Sequence, residues 1–206
     1  SWRSEAFAHA GENGRTINTE DLLAPLMASL AGHTHIYGHY FALDNDEFLQ
    51  VIGARSQAQI VASLQAPAGT EFAIRRIVRD DLRTEHWQFF DKERTVIGER
   101  FAAASYAPTD RPWYLDARRE NRMIISGPYV FESTGTPGLT LSTPLSGTSG
   151  TFGVFGTDIN LGDLNDFLAG LSLTPNAAIL MLDEQNQILA FSGRGEYFSA
   201  LNIPPL

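Results

Sequence analysis

His35-Ile-Tyr-Gly-His-Tyr-Phe-Ala-Leu43, then Asp44-Asn-Asp46, then Glu47 to Ala54 reads as a strand, a tight turn and a returning strand. Aromatic and branched residues recur with a period of two in both arms, and the Asx-rich link supplies the turn. The pattern repeats downstream. Phe72 to Val78, Glu85 to Phe90 and Val96 to Ala103 read as three further strands, with turns at Asp80-Asp81 and Asp91-Lys-Glu-Arg94. Ile124-Ile125, Tyr129 to Phe131, Leu139 to Leu145 and Thr151 to Ile159 follow, with hairpin turns at Gly135-Thr-Pro-Gly138 and Ser146 to Gly150.

Helical spacing frames these strands. Leu22, Leu23, Leu26, Met27 and Leu30 form an apolar stripe, with Asn18 and Thr19 as caps and Gly32 as a stop. Pro25 lies inside the stripe and is expected to bend or delay that helix. Residues 56–65 predict a short helix, and Pro112 opens another. Leu161, Leu164, Phe167, Leu168 and Leu171 mark an amphipathic helix, followed by strands at Ala178 to Leu182 and Gln187 to Phe191 around the turn Asp183-Glu-Gln-Asn186. No long alternation of strand and helix appears, which disfavours a doubly wound parallel sheet. The expected class is α+β, an antiparallel sheet flanked by helices. Three segments follow: an N-terminal helical segment at 1–32, a main module at 33–159, and the start of a second module at 160–206. Residues 194–206 are too few to finish a sheet, so the second module is expected to be incomplete and the chain to be a piece of a longer protein.

The chain of 206 residues carries a formal net charge of −9, which repels phosphate backbones and anionic membranes. Nucleic acid is not expected as a partner. The absence of cysteine excludes disulfides, thiolate metal sites and a thiol nucleophile. No apolar run approaches the ~18 residues of a membrane helix, and no secretory leader is visible.

The chemistry concentrates in Tyr106-Ala-Pro-Thr-Asp-Arg-Pro-Trp-Tyr114, followed by Tyr129 and Asp158. The guanidinium of Arg111 binds carboxylates through paired N–H donors. The indole of Trp113 is a donor without an acceptor. Tyrosine rings face cations, and an ionised Asp158 accepts from an ammonium. Such a two-ended site suits a free α-amino acid. Asp110, directly before Arg111, competes for the guanidinium and tilts the site towards amines. Each residue also has a plainer reading. Trp113, Tyr114 and Tyr129 are good core residues, and Asp158 can cap the helix that begins near Leu161. His33, His35 and His39 share a face of a regular strand, an arrangement open to zinc, but nothing nearby supplies a general base or supporting partner, and a solvated strand start accounts for them better. Asp44-Asn-Asp46 lacks the glycine and distal glutamate of a calcium loop and reads as an ordinary turn. Nucleophile elbows, phosphate loops and dinucleotide fingerprints are absent.

From Tyr106 to Tyr114 the chain resembles the extracytoplasmic double Cache sensors of bacteria. The likeness continues through Gly127-Pro-Tyr-Val-Phe131, Gly138-Leu-Thr-Leu-Ser-Thr-Pro-Leu145, Gly153-Val-Phe-Gly-Thr-Asp-Ile159, Ala178-Ile-Leu-Met-Leu-Asp183 and Ile188-Leu-Ala190. Ala107-Pro-Thr109 departs from the Asp-Pro-Arg of many relatives. The resemblance implies tandem PAS-like modules, the distal one binding ligand, in the periplasmic or extracellular portion of an inner-membrane receptor. Outputs in such receptors are chemoreceptors, histidine kinases or nucleotide cyclases. Tyr106, Arg111, Trp113, Tyr114, Tyr129 and Asp158 match the amino-acid-sensing subset. Arg111 and Trp113 would hold the carboxylate, with Tyr106, Tyr129 and Asp158 around the ammonium. No cofactor, metal or catalysis is implied. The N-terminal helix is the implied homodimer contact, and the membrane is reached through helices outside this chain. The competing expectations are a Cache sensor for an amine, organic acid or purine, and a metal-dependent hydrolase.

Overall fold

The structure is a computed structural model that describes residues 19–79, 83–131, 135, 137–148, 150–171, 174, 177–182, 186 and 188–193. The first expected hairpin forms as β1 (Ile36–Leu43) and β2 (Phe48–Gly53), with Tyr40 opposite Gln50. The chain then adds β3 (Phe72–Val78), β4 (Thr84–Phe90) and β5 (Val96–Ala103) outward on one side. On the other side lie β8 (Gly150–Asn160), β7 (Pro137–Gly147) and β6 (Ile124–Val130). All eight strands make one antiparallel sheet in the order β5-β4-β3-β2-β1-β8-β7-β6.

The centre of this sheet is covered on both faces, so β1 and β2 are buried almost end to end instead of alternating. Helix α1 (Thr19–Gly32) sets Met27 and Leu30 on one face, against Phe41, Leu49, Val51 and Ile74. Side chains of opposite parity form the other face. There α2 (Ala58–Ser63) packs Ile60 against Ile52, Ala73 and Phe89. Helix α3 (Pro112–Glu120) packs Trp113, Tyr114 and Ala117 against Tyr40, Ala42, Phe48 and Val154. The gap between the elements on this second face holds the site.

Several local expectations are corrected. Helix α1 runs through Pro25 without a break. The apolar contacts of its buried stripe outweigh one lost backbone hydrogen bond. The segments at Ile124 and Tyr129 are one strand, irregular between Ser126 and Tyr129, where Pro128 has no N–H to give the ladder. Strand β1 is irregular between Ile36 and Gly38. The regular alternation that put three histidines on one face therefore does not hold. Asp158 is not a helix cap. Asn160 takes that role for α4 (Leu161–Gly170), its side chain accepting from Gly162 N at 2.8 Å. Leu164 and Leu168 of α4 pack on Ala190 of a separate hairpin, β9 (Ile179–Leu182) and β10 (Ile188–Ser192). Asn18, the turns at Asp80-Asp81 and Asp183 to Gln185, and residues 194–206 lie outside the described residues. Among the described residues, no helix is long and apolar enough to cross a membrane.

Candidate ligand-binding site

Antiparallel register builds the floor of the site. Arg75 in β3 lies opposite Gln50 in β2, which lies opposite Tyr40 in β1, so their three side chains stand in one row on the same face. Tyr40 in turn lies opposite Gly156 in β8. A Cβ at 156 would sit 2.2 Å from Cε2 of Tyr40. The missing side chain is what lets the Tyr40 ring cross β8 and bring its hydroxyl to Asp158, where it donates to Oδ1 at 2.6 Å. Thr140, opposite Asp158 in β7, donates to the same oxygen at 2.5 Å. Tyr129 from β6 hydrogen-bonds the Thr140 hydroxyl.

Asp158 is thus a carboxyl only 6% exposed. Burial pushes its pKa up to about 7, while the Thr140 and Tyr40 hydroxyls pull it down. Burial, followed by the nearby Asp158 charge, also raises the pKa of the Tyr129 phenol. This end of the site has a strong appetite for a cation.

The roof is the segment from Tyr106 into α3. Pro108–Asp110 forms a single 3-10 turn, Arg111 is extended, and Pro112 opens the helix. The turn between β1 and β2 anchors this roof, a role its sequence did not announce. Asp46 accepts from the Thr109 hydroxyl at 2.6 Å and pairs with Arg83 at 3.4 Å. Arg83 donates to the carbonyl of Tyr106 at 2.7 Å. Asp44 accepts from the Tyr114 hydroxyl and pairs with Arg118 at 2.9 Å.

Floor and roof enclose a cavity of about 260 Å³, near the low end for small-molecule sites and fitted to a compact metabolite. Tyr106, Arg111, Trp113, Tyr129 and Asp158 line it. Tyr114 does not. Its hydroxyl reaches Asp44 and its ring packs in the core. Burial, then the bond to Asp44, raises its pKa. The turn of α3 presents Trp113 to the cavity and carries Tyr114 round to Asp44. Arg111 holds its guanidinium 4.7 Å from the centre of the Tyr106 ring. The Trp113 indole donates to the Tyr106 hydroxyl at 3.4 Å, a stretched bond that a better acceptor can take over. The Tyr106 phenol sits between the poles. Burial raises its pKa most, Asp158 adds to the rise, and Arg111 and Arg75 oppose it. Tyr40, Gln50, Arg75 and Phe131 also line the cavity. Sequence reasoning missed them because they lie in strands, or beside one, far from the motif.

Asp110 is exposed. The histidines lie away from the cavity. His39 places one ring nitrogen 3.0 Å from the Ser29 hydroxyl and the other 3.0 Å from that of Thr157. His35 packs against the ring of Phe167. Among the described residues, no three His, Asp or Glu side chains come together to hold a metal ion.

Residues 25–166 match the family of methyl-accepting-chemotaxis-protein-like first PDC sensor domains. The chain belongs to this family. The resemblance to Cache sensors and the expected α+β class are thereby borne out. Adenylate cyclase 1 of Rhizobium meliloti (strain 1021) is 32% identical to this PDC domain over 166 residues, 79% of this chain and 24% of that relative. Methyl-accepting chemotaxis protein PscA of Pseudomonas syringae pv. tomato is 28% identical over 86 residues, 42% of this chain and 14% of that protein. The PDC domain therefore spans a quarter or less of these relatives' lengths. The ligand-binding domain of Campylobacter jejuni chemoreceptor Tlp3, in complex with L-norvaline, shares the fold with a TM-score of 0.50 at 16% identity. That likeness covers 92% of this chain and 55% of that one.

Proposed function

We propose that this PDC sensor domain binds a free α-amino acid between Arg111 and Asp158 and acts as the extracytoplasmic input of a bacterial transmembrane receptor. One observation carries the reading: a single small cavity is lined by a guanidinium and an indole donor on its roof and by a buried carboxyl on its floor. Arg111 and Trp113 take the ligand carboxylate. Asp158, with Tyr106 and Tyr129 around it, takes the ammonium. An amino acid bound in the Tlp3 domain of the same fold agrees with this choice. The cyclase and chemotaxis relatives agree with a receptor whose output lies outside this chain.

Residues 33–159 serve as the ligand-binding module and 160–206 as the start of the next one. The N-terminal helix is a contact for a homodimer. Asp158 lies two residues before Asn160, the cap of α4. A ligand that draws β8 towards it therefore moves the start of α4, and a difference in affinity between the two positions is what drives a signal.

Arg111→Ala tests the carboxylate pole. Leaving a ligand charge without its partner costs about 3 kcal/mol, roughly a hundredfold in affinity. Calorimetric titration of Arg111→Ala is expected to show that loss with an unchanged melting temperature. Undiminished binding would make the ligand an amine, held by Asp158 without a carboxylate partner. Asp158→Asn is expected to lose amino acids and amines alike.

A further inference from the structure

The two poles account for the charged groups of an amino acid and leave part of the cavity floor unused. Gln50 sits there, in the middle of the row Arg75–Gln50–Tyr40. It is 6% exposed and lines the cavity. Its amide makes no hydrogen bond among the described residues. The amide is open to the cavity, where an occupant can complete its hydrogen bonds.

Arg75 lies beside it. Its Nη2 is committed to Glu85 at 2.7 Å. The other oxygen of Glu85 accepts from the Trp87 indole. The guanidinium is also fixed by rings, 4.8 Å from the centre of Tyr106 and 5.2 Å from that of Trp87. Two donors remain: Nε, which is buried without a partner, and Nη1, which makes no hydrogen bond among the described residues. Arg75 is thus a held donor whose charge is already matched by Glu85.

We propose that Gln50 and Arg75 form a subsite for the ligand's side chain, and that the side chain it fits is a neutral terminal carboxamide. The proposal rests on the amino-acid reading above. A carboxamide oxygen accepts from Nη1 of Arg75, and its NH₂ donates to the Gln50 carbonyl, so both idle groups are completed at once. A second carboxylate fits less well. Glu85 already neutralises Arg75, so the added charge enters a buried place without a counterion. An aliphatic side chain leaves both polar groups unpaired, and sites built to hydrogen-bond reject analogues that lack the matching group.

Calorimetric titration of the 206-residue chain with L-glutamine, L-asparagine, L-glutamate and L-leucine tests this. The carboxamides are expected to bind at least about tenfold tighter than the other two. Gln50→Leu keeps the bulk of the side chain and removes its polarity. That variant is expected to lose the preference for L-glutamine while holding or gaining affinity for L-leucine. L-leucine or L-glutamate binding as tightly as the carboxamides in the unaltered chain overturns the subsite and leaves the amino-acid reading standing. Failure of every α-amino acid to bind overturns both.

Discussion

Asp158 owes its behaviour to where the sheet puts it. Its folded pKa of about 7 lies above the ordinary 3.8, so the native state keeps a proton that the unfolded chain has released. Stability from this group is complete below the unfolded value and is lost as pH rises through about 7. A ligand ammonium reverses the preference by favouring the carboxylate. Affinity for an amino acid is therefore expected to fall as pH drops below about 7, by roughly tenfold per unit. Titrations at about pH 6 and about pH 8 check the slope, and equal affinity at the two values would contradict it. Gly156 makes the same point from the opposite side. Gly156→Ala drives a methyl into the Tyr40 ring, and overpacking of this kind costs about 1–3 kcal/mol. Thermal melts should show the loss, and ligand titration should weaken with it because the Tyr40 hydroxyl leaves Asp158. The roof residues were legible in the sequence because one short segment carries their chemistry. Tyr40, Gln50, Arg75 and Thr140 were not, because only the register of four strands brings them to one floor.

At the level of elements, one arginine gathers several carbonyls around the end of α1. Arg55 adopts a left-handed backbone with φ 49°. Its Nη2 donates to the carbonyls of Leu30 at 3.2 Å, His33 at 3.1 Å and Ile36 at 2.5 Å, and its Nη1 donates to Gly53 at 3.1 Å. The carbonyls of Leu30, His33 and Ile36 lie at or just past the end of the helix, where intrahelical donors run out. Arg55→Ala is expected to cost about 2–3 kcal/mol, or about 5–10 °C of melting temperature. Hydrogen exchange should rise first at residues 30–36, and Arg55→Lys should not rescue it, since one ammonium cannot span the same carbonyls. The strands and helices themselves were readable from their periods of two and 3.6. The errors came where a period breaks or is over-trusted. An irregularity in β1 spoiled the shared face of the histidines, and the motif read as one block hid that Tyr114 turns to Asp44 and the core. Arg55 carried no signal, because a lone arginine after a strand has no pattern of its own.

Across the whole molecule, one sheet separates two tasks. Its α1 face is an apolar seam, while its other face bears the cavity beneath the start of α3. The first hairpin serves both, since β1 and β2 form the middle of the sheet and their turn anchors the roof through Asp44 and Asp46. The central claim is that this cavity grips both ends of a zwitterion. A ligand that binds the native state raises the melting temperature. The most direct measurement is a thermal-shift series in which each common α-amino acid is paired with its N-acetyl derivative and its α-carboxamide. At least one free amino acid is expected to raise the melting temperature, with neither capped form of it doing so. An N-acetyl derivative or an α-carboxamide that stabilises the chain as much as its parent would contradict the account.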